Sequence, residues 1–136
     1  MEAMFRLLDE KMEIHDSTVA TVFKTSGANL RFKDVHFSYK RERNILQGIS
    51  FSVDRGKTVA IVGSSGAGKS TIARLLFRFY DVSSGKIEID GRDIRDISQK
   101  NLRDIIGIVP QDAVLFNDSI YYNIAYGIPG ASPTEV

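Results

Sequence analysis

Two stretches in the first half of the chain alternate apolar and polar residues. From Leu30 to Tyr39 the apolar positions recur at nearly every second residue, with a change of phase near Asp34. Residues 49–53 alternate in the same way and are followed by an Asp-Arg-Gly turn. A period of two places successive side chains on opposite faces of a strand. The pattern therefore predicts two strands, each with one buried face.

Two other runs are apolar throughout. Residues 58–62 read Thr-Val-Ala-Ile-Val and residues 105–109 read Ile-Ile-Gly-Ile-Val, and both are rich in β-branched side chains. Such runs are typical of parallel strands that are buried on both faces. Residues 71–80 instead have apolar side chains at helical spacing, at Ile72, Leu75, Leu76 and Phe79. A strand, a loop and a helix are therefore predicted over residues 58–80.

Three further elements complete the predicted order. Residues 86–90 form a short strand closed by the turn pair Asp90-Gly91, and helices are predicted at 96–104 and 119–125. The candidate N-caps are Asp96 or Ser98 for the first helix and Asn117 or Asp118 for the second. Antiparallel strands thus precede strand–helix units. This order predicts an α/β fold with a mixed sheet, in which an antiparallel β-subdomain joins an incomplete parallel core.

Residues 1–28 lack this regularity. A short amphipathic patch at residues 4–8 is followed by polar, aperiodic sequence over 13–28, which is typical of a linker. No apolar run reaches the ~20 residues of a membrane-spanning helix, and the N-terminus does not resemble a signal peptide. We therefore predict a linker at 1–28 and one domain at 29–136, and we expect the chain alone to be soluble.

Composition narrows the possible functions. The 136 residues suffice for about one domain, and 43% hydrophobic with 26% charged residues is typical of globular proteins. A net charge of +1 gives no reason to expect nucleic acid or an anionic membrane surface as a partner. The chain has no cysteine, which excludes disulfides and thiolate metal sites. His15 and His36 lie far apart without ligand spacing.

The segment between the predicted strand and helix carries the chemistry. Residues 63–70, hereafter the P-loop, match the phosphate-binding pattern G-x-x-x-x-G-K-[ST]. Its glycines let consecutive backbone N–H groups point at one anion, and the following helix adds the positive end of its dipole. Lys69 would bring a charge to the β- and γ-phosphates, and the Ser70 hydroxyl would be a ligand of Mg²⁺. The candidate phosphate-binding residues are Gly63, Ser64, Ser65, Gly66, Ala67, Gly68, Lys69 and Ser70.

A glycine-rich turn can match this pattern by chance. Here the predicted strand before the loop and the predicted helix after it provide the setting that the mechanism requires. The sequence therefore favours a P-loop NTPase fold that binds a nucleoside triphosphate.

Several motifs, occurring in order over about residues 30–127, resemble the nucleotide-binding domain of ABC transporters. The resemblance is to exporter half-transporters of the mitochondrial iron–sulfur and heavy-metal type and their bacterial relatives. It is carried by Val35–Tyr39, Ile45–Phe51, the P-loop, Arg74–Asp81, Ile108–Asp112 and Val114–Ile124. The resemblance implies ATP and Mg²⁺ as cofactors and ATP hydrolysis coupled to transport.

The resemblance also implies roles for three residues beyond the P-loop. Tyr39 occupies the position of an aromatic residue that stacks on adenine, although alternation alone favours a buried strand tyrosine. Gln111 matches the Q-loop, whose amide helps to hold Mg²⁺ and the attacking water, although the residues alone leave an ordinary loop position equally open. Thr71 matches a position that meets the α-phosphate. The implied metal ligands are Ser70 and Gln111.

Other parts of the family pattern are not found. Residues 87–90 superficially resemble the Walker B strand whose aspartate positions Mg²⁺, but their charged centre and the Asp90-Gly91 turn favour a hairpin. No segment matches the signature motif, the Walker B strand with its catalytic glutamate, or the switch histidine. Phosphoryl transfer needs positioned charge and an oriented water. We therefore expect no complete catalytic set here, with Gln111 as the candidate sensor of water and Mg²⁺.

The resemblance implies a transmembrane domain and a second nucleotide-binding domain as partners, and no nucleic acid. It implies a place at the mitochondrial or bacterial inner membrane through the intact transporter.

Two alternative functions stay open: another P-loop enzyme, such as a nucleotide kinase or GTPase, and a non-catalytic nucleotide-responsive binding module. Because the predicted parallel strands lack covering elements, we also expect a marginally stable chain that is prone to aggregate.

Overall fold

A four-stranded antiparallel sheet forms the centre of the fold. This computed structural model describes residues 14–16, 23–40, 43–112, 114–128 and 130–136. The strands are β1 (Leu30–Phe37), β2 (Leu46–Val53), β3 (Ser84–Ile89) and β4 (Arg92–Asp93). They lie in the order β2-β1-β3-β4, and every neighbouring pair is antiparallel. The predicted antiparallel part of the fold is therefore confirmed.

The described residues also form three α-helices and one 3-10 turn. The helices are α1 (Lys69–Leu76), α2 (Gln99–Asp104) and α3 (Ile120–Ala125), and the 3-10 turn is Ile94–Asp96. Ser98, one of the two predicted caps of α2, accepts a hydrogen bond from the Asn101 N–H at 3.3 Å. The predicted caps of α3 were wrong. Ser119 caps that helix and accepts from Tyr122 N–H at 3.1 Å, because the Asp118 carboxylate accepts from Ser119 N–H instead.

The hydrophobic core lies between the sheet, helix α1 and the segment that contains α2. Phe32 of the central strand β1 is buried and stacks on Phe51 of β2 with ring centroids 4.5 Å apart. Burial of such side chains is the main force that holds the sheet to the helices. The buried apolar residues are Phe32, Val35, Phe37, Leu46, Ile72, Leu75, Ile87, Ile89, Ile94, Ile97 and Leu102.

The change of phase predicted near Asp34 is a β-bulge. The register of β1 shifts there against both neighbouring strands, and Asp34 has a φ of 46°, in the left-handed region. Gly85 of β3, with a φ of 78°, lies so close that a Cβ would come within 2.1 Å of the Asp34 carbonyl oxygen. The bulge therefore needs glycine at position 85, since any side chain would clash with backbone.

The hairpin predicted at residues 87–90 is confirmed. Strands β3 and β4 pair antiparallel on either side of Asp90 and Gly91. These two residues have φ values of 49° and 81°, as a two-residue hairpin turn requires. Asp90 therefore belongs to a turn, and not to the end of a parallel strand that could hold Mg²⁺.

The structure assigns no strand to the two apolar runs at 58–62 and 105–109, so these strand predictions are not confirmed. Val62 is 87% exposed and Val109 is 96% exposed. A strand exists only through hydrogen bonds to a neighbour, and neither run pairs with a strand within the described residues. The parallel part of the predicted sheet is accordingly not seen.

Helix α1 ends four residues earlier than predicted. The N–H of Arg78 bonds to the Leu75 carbonyl at 2.9 Å, and the N–H of Phe79 bonds to the Arg74 carbonyl at 3.0 Å. With Arg78 at a φ of 52°, these bonds form a Schellman motif, which closes the helix. Phe79, predicted on the buried face, is 52% exposed as a result.

The amphipathic patch predicted at residues 4–8 lies outside the described residues. Within the predicted linker, residues 14–16 and 23–28 are described and form no helix or strand. Among the described residues, no helix is long and apolar enough to cross a membrane.

Candidate functional site

The P-loop leads directly into the N-terminus of helix α1. Gly66 and Gly68 have φ values of 80° and 87°, and Gly68 is the N-cap of the helix. A turn within the loop is closed by a hydrogen bond from Ala67 N–H to the Ser64 carbonyl at 3.2 Å. Positive φ values next to the free N–H groups of a helix start are backbone features from which anion-binding sites are built.

Gly68 also fixes the loop against the sheet. It is buried, and a Cβ at this position would lie 2.7 Å from Leu46 Cδ2 and 3.3 Å from Ile45 Cγ2. Leu46 is the first residue of β2 and part of the core. The loop thus packs closely on a rigid element, and both its φ and its surroundings require glycine here.

The Lys69 side chain folds back onto the P-loop. Its ammonium donates hydrogen bonds to the carbonyls of Gly63 at 2.8 Å and Ser64 at 2.7 Å. Ser70 follows in the first turn of α1 and is exposed. A cation and a hydroxyl therefore accompany the backbone N–H groups, as binding of a polyphosphate requires.

Tyr39 contacts the first turn of the same helix. Its hydroxyl oxygen lies 3.2 Å from Thr71 Oγ1, within hydrogen-bond distance. Its ring makes edge contacts with Phe37 and Tyr80 at centroid distances of 4.8 and 5.0 Å. Tyr39 lies beyond the end of β1 and is 41% exposed, so it is not a buried strand tyrosine. Tyr39 and Tyr80 also line a cleft of about 430 Å³, within the usual size of ligand pockets.

Arg74 is a member of this site that the sequence did not reveal. Its Nη1 donates a hydrogen bond to the Tyr39 hydroxyl oxygen at 3.1 Å, and its guanidinium lies 6.0 Å from the Tyr39 ring centroid. Partial burial raises the pKa of Tyr39, but the hydrogen bonds with Thr71 and Arg74 outweigh it and lower that pKa below 10.0. The spacing of Thr71 and Arg74, three residues apart on one helix face, was the available signal.

Gln111 is exposed and lies in a bend of the chain. In the described part of the chain no hydrogen bond joins it to the P-loop or to Thr71. Its role as a sensor of Mg²⁺ and water therefore stays a prediction.

The side chains present fit Mg²⁺ only together with a nucleotide. Within the described ranges there is no group of three or more histidine, aspartate or glutamate side chains that could hold a metal ion. Ser70 offers a neutral hydroxyl, and Mg²⁺ commonly combines such a ligand with substrate phosphates and water. The donor set thus suits a metal that arrives with a polyphosphate.

Comparison with known proteins places this geometry in a family. Residues 46–132 match the ABC transporter family. The chain is 52% identical over 139 residues to ABC transporter B family member 24, mitochondrial, of Arabidopsis thaliana, covering 100% of this chain and 20% of that protein. It is 57% identical over 136 residues to the ATM1-type heavy metal exporter of Novosphingobium aromaticivorans, covering 100% of this chain and 22% of that protein.

A solved structure agrees with these relatives. The structure of a bacterial Atm1-family ABC exporter with ATP bound matches with a TM-score of 0.89 and 56% identity, covering 98% of this chain and 24% of that chain. The chain thus spans about a fifth of the length of its relatives. The resemblance inferred from the motifs is confirmed, and the match does not support the kinase and GTPase alternatives.

Proposed function

Since this chain belongs to the ABC transporter family, we propose that it binds ATP and Mg²⁺ as the nucleotide-binding part of a membrane exporter. The observation that carries the proposal is the contact of 3.2 Å between the Tyr39 hydroxyl and Thr71. It joins the aromatic ring that would stack on adenine to the helix that begins at Lys69. One helix thereby connects a base-binding side chain to a phosphate-binding loop.

At the phosphate end, Lys69 would exchange the two loop carbonyls for phosphate oxygens. Hydrogen bonds from an ammonium to an anion are stronger than those to a neutral carbonyl, so this exchange is favourable. Ser70 and Gln111 would hold Mg²⁺, which when bound neutralises charge on the phosphates. Thr71 would lie at the α-phosphate, next to the side chain of Tyr39.

We infer that the chain supplies binding and only part of the machinery for hydrolysis. Gln111 would orient the attacking water through its amide. Hydrolysis also needs a group that activates this water and positive charge at the transferred phosphoryl group. No carboxylate hydrogen-bonds to the P-loop within the described residues. A non-catalytic nucleotide-responsive module therefore stays the second candidate, and turnover of ATP distinguishes the two.

The proposed exporter would supply the partners. Residues 1–28 would connect to a transmembrane domain, and a second nucleotide-binding domain would face the P-loop. This assignment is supported by relatives that are named as a mitochondrial ABC transporter and as a heavy metal exporter. We therefore propose a location at a mitochondrial or bacterial inner membrane.

We also infer that residues 58–62 and 105–109 become neighbouring strands of a parallel core in the proposed domain. Their β-branched composition supports this, because such runs suit strands covered on both faces. Residues 58–62 and 107–109 are exposed here, and pairing and covering would bury them.

The proposal is tested by titrating the chain with ATP in the presence of Mg²⁺. Lys69→Ala should weaken ATP binding by about 10- to 100-fold, because it removes charge-assisted hydrogen bonds to phosphate. Lys57→Ala is the matched control, since Lys57 is an exposed lysine outside the P-loop, and its affinity should equal that of the wild type. Unchanged ATP binding by a folded Lys69→Ala variant would contradict the assignment of the P-loop.

A further inference from the structure

The position of Tyr39 is set by side-chain contacts. Tyr39 lies two residues after Phe37, the last residue of β1, so the hydrogen bonds of that strand do not extend to it. Its ring meets Phe37 and Tyr80 edge to face, and its hydroxyl group meets two polar groups of helix α1. The orientation of the ring therefore depends on what holds the hydroxyl.

Arg74 holds that hydroxyl in an unusual way. Within the described part of the chain, the Arg74 side chain makes one hydrogen bond, which it donates to Tyr39. Arg78, two residues after the same helix, pairs instead with Asp81 and Asp16. An exposed arginine usually faces water or a carboxylate. Arg74 instead directs its guanidinium to a neutral phenol and lies near the ring of that phenol.

The two hydrogen bonds of the phenol are mutually consistent. Arginine can only donate, so the Tyr39 oxygen accepts from Arg74. The hydroxyl hydrogen is then free to be donated to Thr71 Oγ1 at 3.2 Å. Both bonds reach residues of α1, three positions apart and within the first turns after Lys69. The phenol is thereby attached at two points to the helix that carries the P-loop.

We propose that Arg74 is a positioning residue that fixes Tyr39 at the distance and orientation needed for stacking on a nucleobase. The inference rests on the proposed function, in which Tyr39 binds adenine and the P-loop binds phosphate. A ring fixed before binding loses less side-chain freedom when the base arrives, which increases affinity. Arg74 therefore affects ligands that contain a base and leaves the binding of phosphate alone unchanged.

Two ligands separate these effects. The wild-type chain and its Arg74→Gln variant are titrated by calorimetry with Mg-ATP and with inorganic tripolyphosphate, which has no base. Arg74→Gln should weaken ATP binding by about three- to tenfold, the cost of ordering one side chain. Tripolyphosphate affinity should not change. Arg74→Lys keeps the donor and the charge and should recover part of the lost ATP affinity.

The matched control is Arg31→Gln. Arg31 is an exposed arginine of β1, opposite Ser52 and Glu88 of the neighbouring strands, and no hydrogen bond or ion pair of the described residues joins it to Tyr39 or the P-loop. The substitution changes charge and chemistry in the same way at a distance from the site. Arg31→Gln should bind both ligands as the wild type does, and far-UV circular dichroism verifies that each variant is folded.

A double-mutant cycle with Tyr39→Phe tests whether Arg74 acts through the phenol. In the Tyr39→Phe background, which lacks the hydroxyl, Arg74→Gln should lose most of its effect on ATP affinity. Tyrosine NMR on isotope-labelled protein gives an independent readout. Removing the guanidinium should raise the pKa of Tyr39, since the hydrogen bond and charge of Arg74 lower it. This titration reports the contact between Arg74 and the phenol without any ligand.

Four outcomes would overturn the inference. Equal ATP affinity of Arg74→Gln and Arg31→Gln shows that Arg74 does not position Tyr39. Tighter ATP binding by Arg74→Gln shows that Arg74 holds Tyr39 away from the base. Parallel loss of ATP and tripolyphosphate affinity shows an effect on the P-loop. Failure of the folded wild type to bind either ligand overturns the proposed function and this inference with it. The first three outcomes overturn only this inference, because the wild type still binds ATP in each of them.

Discussion

At the scale of single residues, Asp90 connects the predicted linker to the sheet. Its carboxylate accepts hydrogen bonds from the N–H groups of four consecutive residues, Ser26 to Asn29, at distances from 2.8 to 3.2 Å. The Thr25 hydroxyl donates a further bond at 2.7 Å. The donors from Asn29 and Thr25 hold the pKa of Asp90 well below its ordinary value of 3.8. One ionised side chain thus orders five residues of backbone.

Acid should therefore release this segment. A carboxyl whose pKa is depressed in the folded state stabilises the fold fully above its unfolded pKa, and this contribution is lost as the pH falls below 3.8. Asp90→Asn keeps the shape of the side chain and tolerates the left-handed φ of 49°, but the amide group does not ionise. We expect the variant to be less stable at neutral pH and to lose part of the acid dependence of unfolding.

Thermal unfolding followed between about pH 6 and pH 2 measures this difference, because the contribution of Asp90 to stability begins to fall as the pH drops below the unfolded pKa of a carboxyl group. Asp112→Asn is the control, because Asp112 is exposed and accepts no hydrogen bond in the described part of the chain. An acid dependence that is the same in Asp90→Asn and in the wild type would show that Asp90 does not contribute to it.

At the scale of elements, the end of helix α1 is determined by Arg78. This side chain is 3% exposed and donates to the Asp81 carboxylate at 3.0 Å and to the Ile97 carbonyl at 3.2 Å. It also donates to the His15 carbonyl at 3.2 Å and meets Asp16 at 3.5 Å. The residue with a left-handed φ just after the C-cap of a helix is usually glycine. The side-chain contacts offset the backbone strain and attach residues 14–16 to the end of the helix.

Arg78→Ala should lower the free energy of unfolding by roughly 2 to 3 kcal/mol, because it removes a buried side chain and leaves the buried Ile97 carbonyl without its donor. Arg78→Gly loses the same contacts but relieves the backbone strain, so its loss should be smaller by about 1 kcal/mol. Urea denaturation measures both values. Arg103→Ala, an exposed arginine whose described hydrogen bond stays within helix α2, should change stability by less than about 0.5 kcal/mol. Equal stability of Arg78→Ala and Arg103→Ala would refute the role of Arg78.

At the scale of the whole molecule, the exposed apolar surface is large. Val109 is 96% exposed, Val114 is 91% exposed and Ile120 is 81% exposed. Surfaces of this kind associate with one another in water, and unpaired extended segments add free backbone groups. The expectation of an aggregation-prone chain is therefore supported by the distribution of buried and exposed residues.

We predict that the chain self-associates as its concentration rises. Replacing Val109 and Val114 together by lysine should reduce this association without lowering the thermal midpoint, since both side chains are almost fully exposed. Sedimentation velocity over a range of concentrations measures the association. Leu102→Lys is the contrasting variant, because Leu102 is fully buried and its replacement should unfold the chain. A wild type that stays monomeric throughout would contradict this prediction.

Local patterns were enough to predict much of this protein. The bulge at Asp34, the hairpin turn at Asp90-Gly91 and the passage from the P-loop into a helix each follow from the residues that form them, although the helix begins two residues before the predicted Thr71. The family resemblance rested on the same short motifs. These features are local because they depend on which φ values a residue adopts at low cost and on the period of its apolar neighbours.

The remaining features depend on residues that are far apart in sequence. The apolar runs at 58–62 and 105–109 were predicted as strands, yet a strand needs a neighbouring strand to bond to. Helix α1 ends where Arg78 meets partners from positions 16 and 97, and Tyr39 is oriented by Arg74, which lies 35 residues away. The sequence by itself thus determined the local conformations and the phosphate-binding loop. Only the tertiary structure decided which segments pair, where α1 stops and what holds Tyr39, because contacts between distant residues select among locally allowed conformations.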